Sequence, residues 1–483
     1  MSLYVVCKCL KGEENVEGYL LGIDCGLTLI KAAVFTFEGD KLREAQHHTP
    51  LVNNQVDTET LWQSTCNCIM EAVGEYKIAA CSLAGHGNGL YALNEGGKII
   101  AAYSSMIDSF APSVENVDLF FDITHQSCWS GQPMQILKHL KDTQRDLYLK
   151  ICTVLQCKDY IRYRLTGELA LEYSDASAAA LLDNKTSVGS RELLDIIGIP
   201  EMAHVFPPLV SSFDIAGNVT SEASICTGLA QGTPVASGLF DVNACMLGAG
   251  VTDGTRYSVT AGTWGITAIP TVESVQNQII TQSCNFCDRD RYMAIVSAPT
   301  SCVNLDWFLH NFLPNITYEE AGQVAASFEA DDVEIIYLPF LHADMRYRNV
   351  TASFNYIKAK HTWREMLRAV YEGVVFSHRL QLERMQKAGL FANAIRLSGG
   401  ASKGMMWRKL FADILNLPIE TVKEKQVGTL GAAIVASVSV GMYNNYSEAV
   451  KQMTKIDEVI FPTASGAYDR KYAQFKRLVG VEV

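Results

Sequence analysis

Residues 18–42 read GYLLGIDCGLTLIKAAVFTFEGDKL, two apolar runs joined by a short polar turn. The runs are strand-like, and Gly26 permits a tight reversal between them. The turn also carries a carboxylate, Asp24, between Ile23 and Cys25. Asp and Gly are ordinary turn residues. A glycine turn is also a place where backbone N–H groups approach a phosphate, and there Asp24 fits as a partner of Mg²⁺ or its waters. The hairpin alone leaves both readings open.

The pattern returns about 240 residues later. Residues 255–271, TRYSVTAGTWGITAIPT, are again strand, Gly-Thr turn and strand. The first hairpin is followed by helical ETLWQSTCNCIMEAVGEY (59–76) and strand KIAACSLAG (77–85). The second is followed by helical TWREMLRAVYEGVVFSHRLQLERMQKAG (362–389), strand AIRLSGG, and helices SKGMMWRKLFADILN and GTLGAAIVASVSVGMY. Self-similarity at this long period predicts a duplicated α/β domain with a cleft between the copies. The glycine-rich GAGVTDGT (248–255) marks the junction as a hinge. The expected organisation is a peripheral extension over 1–18, a first domain over 19–252 and a second over 253–483.

Composition narrows the function. A chain of 483 residues exceeds one ordinary core, and 48% hydrophobic with 19% charged residues describes a packed globular protein. A net charge of −12 argues against nucleic acid as a partner and suits a small polar or Mg²⁺-bound substrate. No apolar run reaches membrane-spanning length, and Lys8 and Lys11 interrupt the N-terminal apolar segment, so the expected location is cytoplasmic. The fourteen cysteines are scattered, which suits reduced thiols; the single CNFC (Cys284, Cys287) lacks the second pair that a zinc site requires.

Four glycine clusters sit at strand-turn or turn-helix junctions. Gly26, Thr28 and Lys31 belong to the first, and Gly262 and Thr263 to the second. LSGGASKG (397–404) joins a strand to a helix and supplies Gly399, Gly400, Ala401 and Lys403 for a nucleotide. VGTLGAA offers a further helix start at Gly428–Gly431. Neither a GxGxxG dinucleotide fingerprint nor a Walker A motif is present. Asp241 follows strand-like PVASGLF and opens a helix of small residues; it reads either as an N-cap or as a general base for phosphoryl transfer.

At these residues the chain resembles the FGGY family of carbohydrate kinases, from about residue 19 to the C-terminal region. GIDCGLTLIK and TAGTWG resemble the family's two phosphate motifs, and LSGGASKGMMWRKLFADILNLPIE its adenosine motif. GLFDVNA matches the segment bearing the family's catalytic aspartate, while GQPMQILKHLK and YEGVVFSHRLQLERM fall where its two signatures lie. The resemblance implies two ribonuclease H-like, actin-like ATPase domains facing a central cleft, with ATP and Mg²⁺. It implies Asp241 as base, Asp24 toward the metal, and a sugar lined by His86, Asn88, Asp108 and Asp241. A homodimer is compatible with it.

Within the family, AGHGNGL, GLFDV, SAPTS and LPFLHADMRYRNVTASF resemble the L-xylulose kinase branch, which implies a ketopentose acceptor. D-xylulose, erythritol, gluconate and 3-keto-L-gulonate are alternatives, as is an actin- or Hsp70-like conformational ATPase. The chain departs from the family pattern at Leu27, at SSMIDSFA (104–111), at His139 and at HADMR (342–346). The last three departures fall on the substrate side.

Overall fold

The computed structural model describes residues 6–8, 15–52, 55–342, 346–347, 349–464 and 466–481. Most of the 1–18 extension and part of the HADMR segment lie outside these residues. Strands β1 (Tyr19–Cys25), β2 (Leu29–Phe35) and β3 (Lys41–His48) form an antiparallel meander. Helix α1 (Thr58–Val73), capped by the Asp57 side chain on Thr60 N, leads to β4 (Ile78–Gly85), which pairs parallel with β1. A separate five-stranded sheet, two of whose strands (Leu51–Val52 and Gln55–Val56) precede α1, is completed after β4, and α2 (Cys157–Thr166) and α3 (Tyr173–Ala178) follow. The main sheet then resumes with β5 (Ile215–Asn218), β6 (Pro234–Ala236) and the two-residue β7 (Leu239–Phe240), and ends in α4 (Asp241–Gly248).

The second half repeats this plan. β8 (Arg256–Ala261) and β9 (Gly265–Thr271) form the second hairpin, and β10 (Gln282–Asn285) and β11 (Tyr292–Ala298) extend it. Helix α5 (Trp363–Lys387), opened by a Thr362–Glu365 capping box, leads to β12 (Ala394–Gly399), parallel to β8. Helix α6 (Met405–Leu415), β13 (Ile419–Val422), α7 (Val427–Ser439) and edge strand β14 (Ile456–Ile460) complete it. The first sheet runs β5-β6-β4-β1-β2-β3, and the second β14-β13-β12-β8-β9-β11-β10. Over six strands the two orders match, with the same parallel and antiparallel pairings, and the second sheet adds β10 at its edge.

PVASGLF, expected as one strand, is broken into β6 and β7 at Ser237–Gly238. Gly238 has φ +83°, and a Cβ there would lie 2.2 Å from the Leu83 carbonyl oxygen.

The halves share a core. One apolar cluster joins Leu20, Ala33 and Phe35 of the first sheet to Met293 and Ile295 of the second and to Leu430–Ala436 of α7. Helices α4 and α7 cross backbone to backbone: a Cβ on Gly431 would fall 1.9 Å from Ala244 O, and one on Gly248 1.9 Å from Val427 O. Small residues in both helices permit that approach, which sets the last residue of α4 against the first of α7.

Candidate active site

Three elements converge at the C-terminal end of β1. Asp24 lies directly opposite Lys31 across the β1–β2 pair, and Gly26 N–H closes the turn on Leu29 O at 3.0 Å. The first turn of α7 presses on the same carboxylate; a Cβ on Gly428 would sit 2.5 Å from Asp24 Oδ2. Burial raises the Asp24 pKa, and Lys31 opposes the shift. Thr28 is exposed at the tip of the turn.

Asp241 is the first residue of α4, whose N-cap position belongs to Phe240; no side chain caps this helix. The Asp241 carboxylate itself takes a hydrogen bond from the backbone of Val242 in the first turn. Burial, then the Asp24 and Asp175 carboxylates, push its pKa well above the ordinary range. Two carboxylates thus stand close enough to repel each other, which is the environment a cation relieves.

His86 and Asn88 lie beside them. His86 N–H donates to Cys25 O at 3.0 Å, which ties the end of β4 to the end of β1. Gly87 packs on the Phe240 ring so closely that a Cβ would lie 2.3 Å from it. Both side chains are buried, yet among the described residues His86 Nδ1 and Asn88 Oδ1 have no hydrogen-bond partner. Burial lowers the His86 pKa to about 4, so its imidazole is neutral near pH 7. Buried polar atoms left unmatched are costly, and a polyhydroxylated ligand satisfies them. Asp108 stands apart: it is exposed and hydrogen-bonds to none of these residues, while its neighbour Ile107 is buried with its carbonyl held by Ser130 Oγ at 2.8 Å.

The second half contributes glycine turns and a lysine rather than carboxylates. In the β8–β9 turn, the Gly262 and Thr263 carbonyls accept from Cys302 N (2.9 Å) and Ser301 N (3.0 Å), and Thr263 is exposed. Gly399, at φ +80°, ends β12 beside Ala261 of β8, and Gly400–Lys403 form one 3₁₀ turn. Ala401 is buried under that turn, while Gly400 and Lys403 are exposed. A cleft of about 410 Å³ lined by Lys31, Gln46, Lys403, Gln426 and Thr429 brings a lysine from each half to one space. The glycine signal at Gly428 was legible in the sequence, but the role of Gln426 and Thr429 as lining residues was not; Gln426 precedes the VGTLGAA cluster, and Thr429 lies within it between its glycines.

Among the described residues no group of three or more His, Cys, Asp or Glu side chains is placed to hold a metal ion. The carboxylates near this point, Asp24 and Asp241, are hard oxygen donors and few. They fit a hard ion that keeps most of its ligands as water and phosphate, as Mg²⁺ does.

Paired sheets of this order, with hairpin turns facing a shared cleft, define a ribonuclease H-like, actin-like ATPase fold. The N-terminal domain model of the FGGY family of carbohydrate kinases matches residues 19–248, and the C-terminal domain model matches residues 257–440. The chain belongs to that family. It is 30% identical over 487 residues to the L-xylulose/3-keto-L-gulonate kinase of Escherichia coli, covering 95% of this chain and 96% of the relative. It is 26% identical to a Bacillus subtilis xylulose kinase, covering 94% of each. Among solved structures, a ligand-bound Lactobacillus acidophilus xylulose kinase superposes with a TM-score of 0.83 at 22% identity, covering 96% of each chain. Plasmodium falciparum glycerol kinase with ADP reaches 0.81 at 18% identity, covering 96% of this chain and 97% of that one. The protein is an ATP-dependent carbohydrate kinase, which sets aside the conformational ATPase alternative. No helix among the described residues is long and apolar enough to cross a membrane.

Proposed function

We propose that the acceptor is a ketopentose, L-xylulose first, and that Asp241 is the general base for its phosphorylation by MgATP. The observation that carries this reading is that Asp241 follows Phe240, whose ring packs on Gly87 between two residues with buried, unmatched polar atoms, His86 Nδ1 and Asn88 Oδ1. The L-xylulose kinase relatives support the choice of sugar. A sugar acid such as 3-keto-L-gulonate is the second reading, favoured by the name of the Escherichia coli relative.

In this mechanism His86 and Asn88 bind sugar hydroxyls and orient one toward the γ-phosphate. Asp241 accepts that hydroxyl's proton as the bond to phosphorus forms. Gly26, Thr28, Lys31, Gly262 and Thr263 hold the phosphates, and Gly399, Gly400, Ala401 and Lys403 hold the rest of the nucleotide. Asp24 is the residue that would hold Mg²⁺, through water; when bound, the ion neutralises phosphate charge. Asp108 is assigned to the rim of the sugar site. Residues 19–252 present the sugar and 253–483 the nucleotide, with 1–18 peripheral. The same reading places the protein in the cytoplasm, as a homodimer.

The test is ADP release from ATP in the presence of L-xylulose, D-xylulose, erythritol, gluconate and 3-keto-L-gulonate. L-xylulose is expected to give the highest kcat/KM. A higher value for either acid moves the assignment to a sugar acid, and no stimulation by any of the five overturns it.

A further inference from the structure

Beneath the candidate base lies a cluster of fully buried charges that no step of the mechanism uses. Lys158 Nζ lies 2.9 Å from Asp159, 3.0 Å from Asp175 and 3.6 Å from Glu172, and Arg162 lies 2.7 Å from Asp159. All five side chains have no solvent exposure. Charges taken fully from water are expensive even when paired, and stability alone is weak grounds for keeping them.

The cluster reaches the Asp241 segment at two points. Arg162 donates to Ser237 O at 2.9 Å, at the break between β6 and β7. Ser174, whose hydroxyl donates to Glu172 Oε2 at 2.7 Å, accepts from Phe240 N at 3.0 Å. The direction of that chain is set by Glu172. Its carboxylate accepts from Ser174 N (2.8 Å), Asp175 N (3.2 Å) and the hydroxyls of Ser174 and Ser212 (2.7 Å each). The single Ser174 proton is therefore given to Glu172, which turns an oxygen lone pair toward the Phe240 amide.

Phe240 is the residue before Asp241 and the N-cap of its helix. The strand that delivers it, β7, has only two residues and meets β4 through Leu239 and Phe240 alone. A strand end so short has few backbone bonds to fix where the helix starts.

We infer that Ser174 is a positioning residue for Asp241: Glu172 orients its hydroxyl, and the hydroxyl fixes the amide from which the base-bearing helix begins. This rests on the reading of Asp241 as the base. A displacement of about 1 Å at a reacting group can cost on the order of 10²-fold in rate, so the link is expected to show in kcat.

The decisive experiment compares two serines on one carboxylate. Ser212 is as buried as Ser174 and donates to Glu172 Oε1 over the same distance, but its hydroxyl bonds to Glu172 and the Cys287 carbonyl rather than to Phe240. Ser174→Ala is expected to lower kcat roughly 10- to 100-fold while KM for sugar and for ATP moves by less than about threefold. Ser212→Ala is expected to keep kcat within about threefold. Should Ser174→Ala fail to fold, Ser174→Cys fills the volume but accepts poorly, and the same split is expected of it. Asp241→Asn, measured alongside, separates the two claims. If it retains turnover, the base reading falls and takes this inference with it. If it loses turnover while the Ser174 variants keep theirs, or Ser212→Ala loses as much as Ser174→Ala, the positioning inference alone is overturned.

Discussion

The two sheets of this kinase have one strand order and opposite chemistry. At the cleft end of the first, β1, β4 and β7 end in or lead into Asp24, His86 and Asp241. At the cleft end of the second, β8 and β12 lead into Gly262, Thr263 and the Gly399–Lys403 turn. The first copy presents carboxylates, the second glycine turns and an exposed lysine. The duplication supplies two equivalent frames, and in the proposed mechanism the residues at the strand tips divide the labour of phosphoryl transfer between them.

The comparison is broken most severely at Asp241. Asp241→Asn is expected to lower kcat by at least about 10²-fold, while the free protein's melting temperature stays level or rises. Its folded pKa lies above the ordinary 3.8, so the unfolded chain gains more from ionisation as pH rises past that value. The carboxylate therefore costs stability at neutral pH, and the melting-point gap between variant and parent closes as pH falls toward 4. A helix cap predicts the reverse, a variant less stable by about 1 kcal/mol with turnover intact.

A pair of glycines, one near each set of tips, sharpens the contrast. Gly431→Ala forces a methyl into the Ala244 carbonyl at the α4–α7 crossing, and is expected to cost about 1–3 kcal/mol of stability. Gly262→Ala meets nothing within 4 Å and is expected to leave the melting temperature unchanged while KM for ATP rises. Equal melting points for the two would show that the crossing is not the constraint described here. The smallest effect is expected at Lys403, exposed on the cleft wall. Lys403→Ala is expected to raise KM for ATP about three- to fivefold with kcat unchanged, and the difference should shrink at high salt.

Much of this was legible in the sequence because its cause is local. The hairpins, α1, α5 and the Gly399–Gly404 turn follow from periodicity, caps and glycine placement within short windows. Asp24 and Asp241 stood out because a carboxylate interrupts or ends an apolar run. What was not legible depends on residues far apart in the chain. The Gly431–Ala244 approach, the pressure of Gly428 on Asp24 and the bond from Phe240 to Ser174 carry no periodic signature. The break at Gly238 was hidden for the same reason, since the atom that enforces it belongs to Leu83 in another strand. Asp108 shows the converse: a polar residue in a family segment, which the fold leaves exposed.

The shared core has a consequence for how the protein is made. Helix α7 covers an apolar face of the first sheet, yet it is synthesised roughly 180 residues after α4. At about 5–20 residues per second, a ribosome needs on the order of 10–40 s to deliver it. Throughout that interval Leu20, Ala33 and Phe35 await a partner still inside the ribosome or not yet encoded into chain. The first half cannot finish folding as it emerges, and a nascent chain of this kinase is a client for whatever shields apolar surface until residue 439 is free.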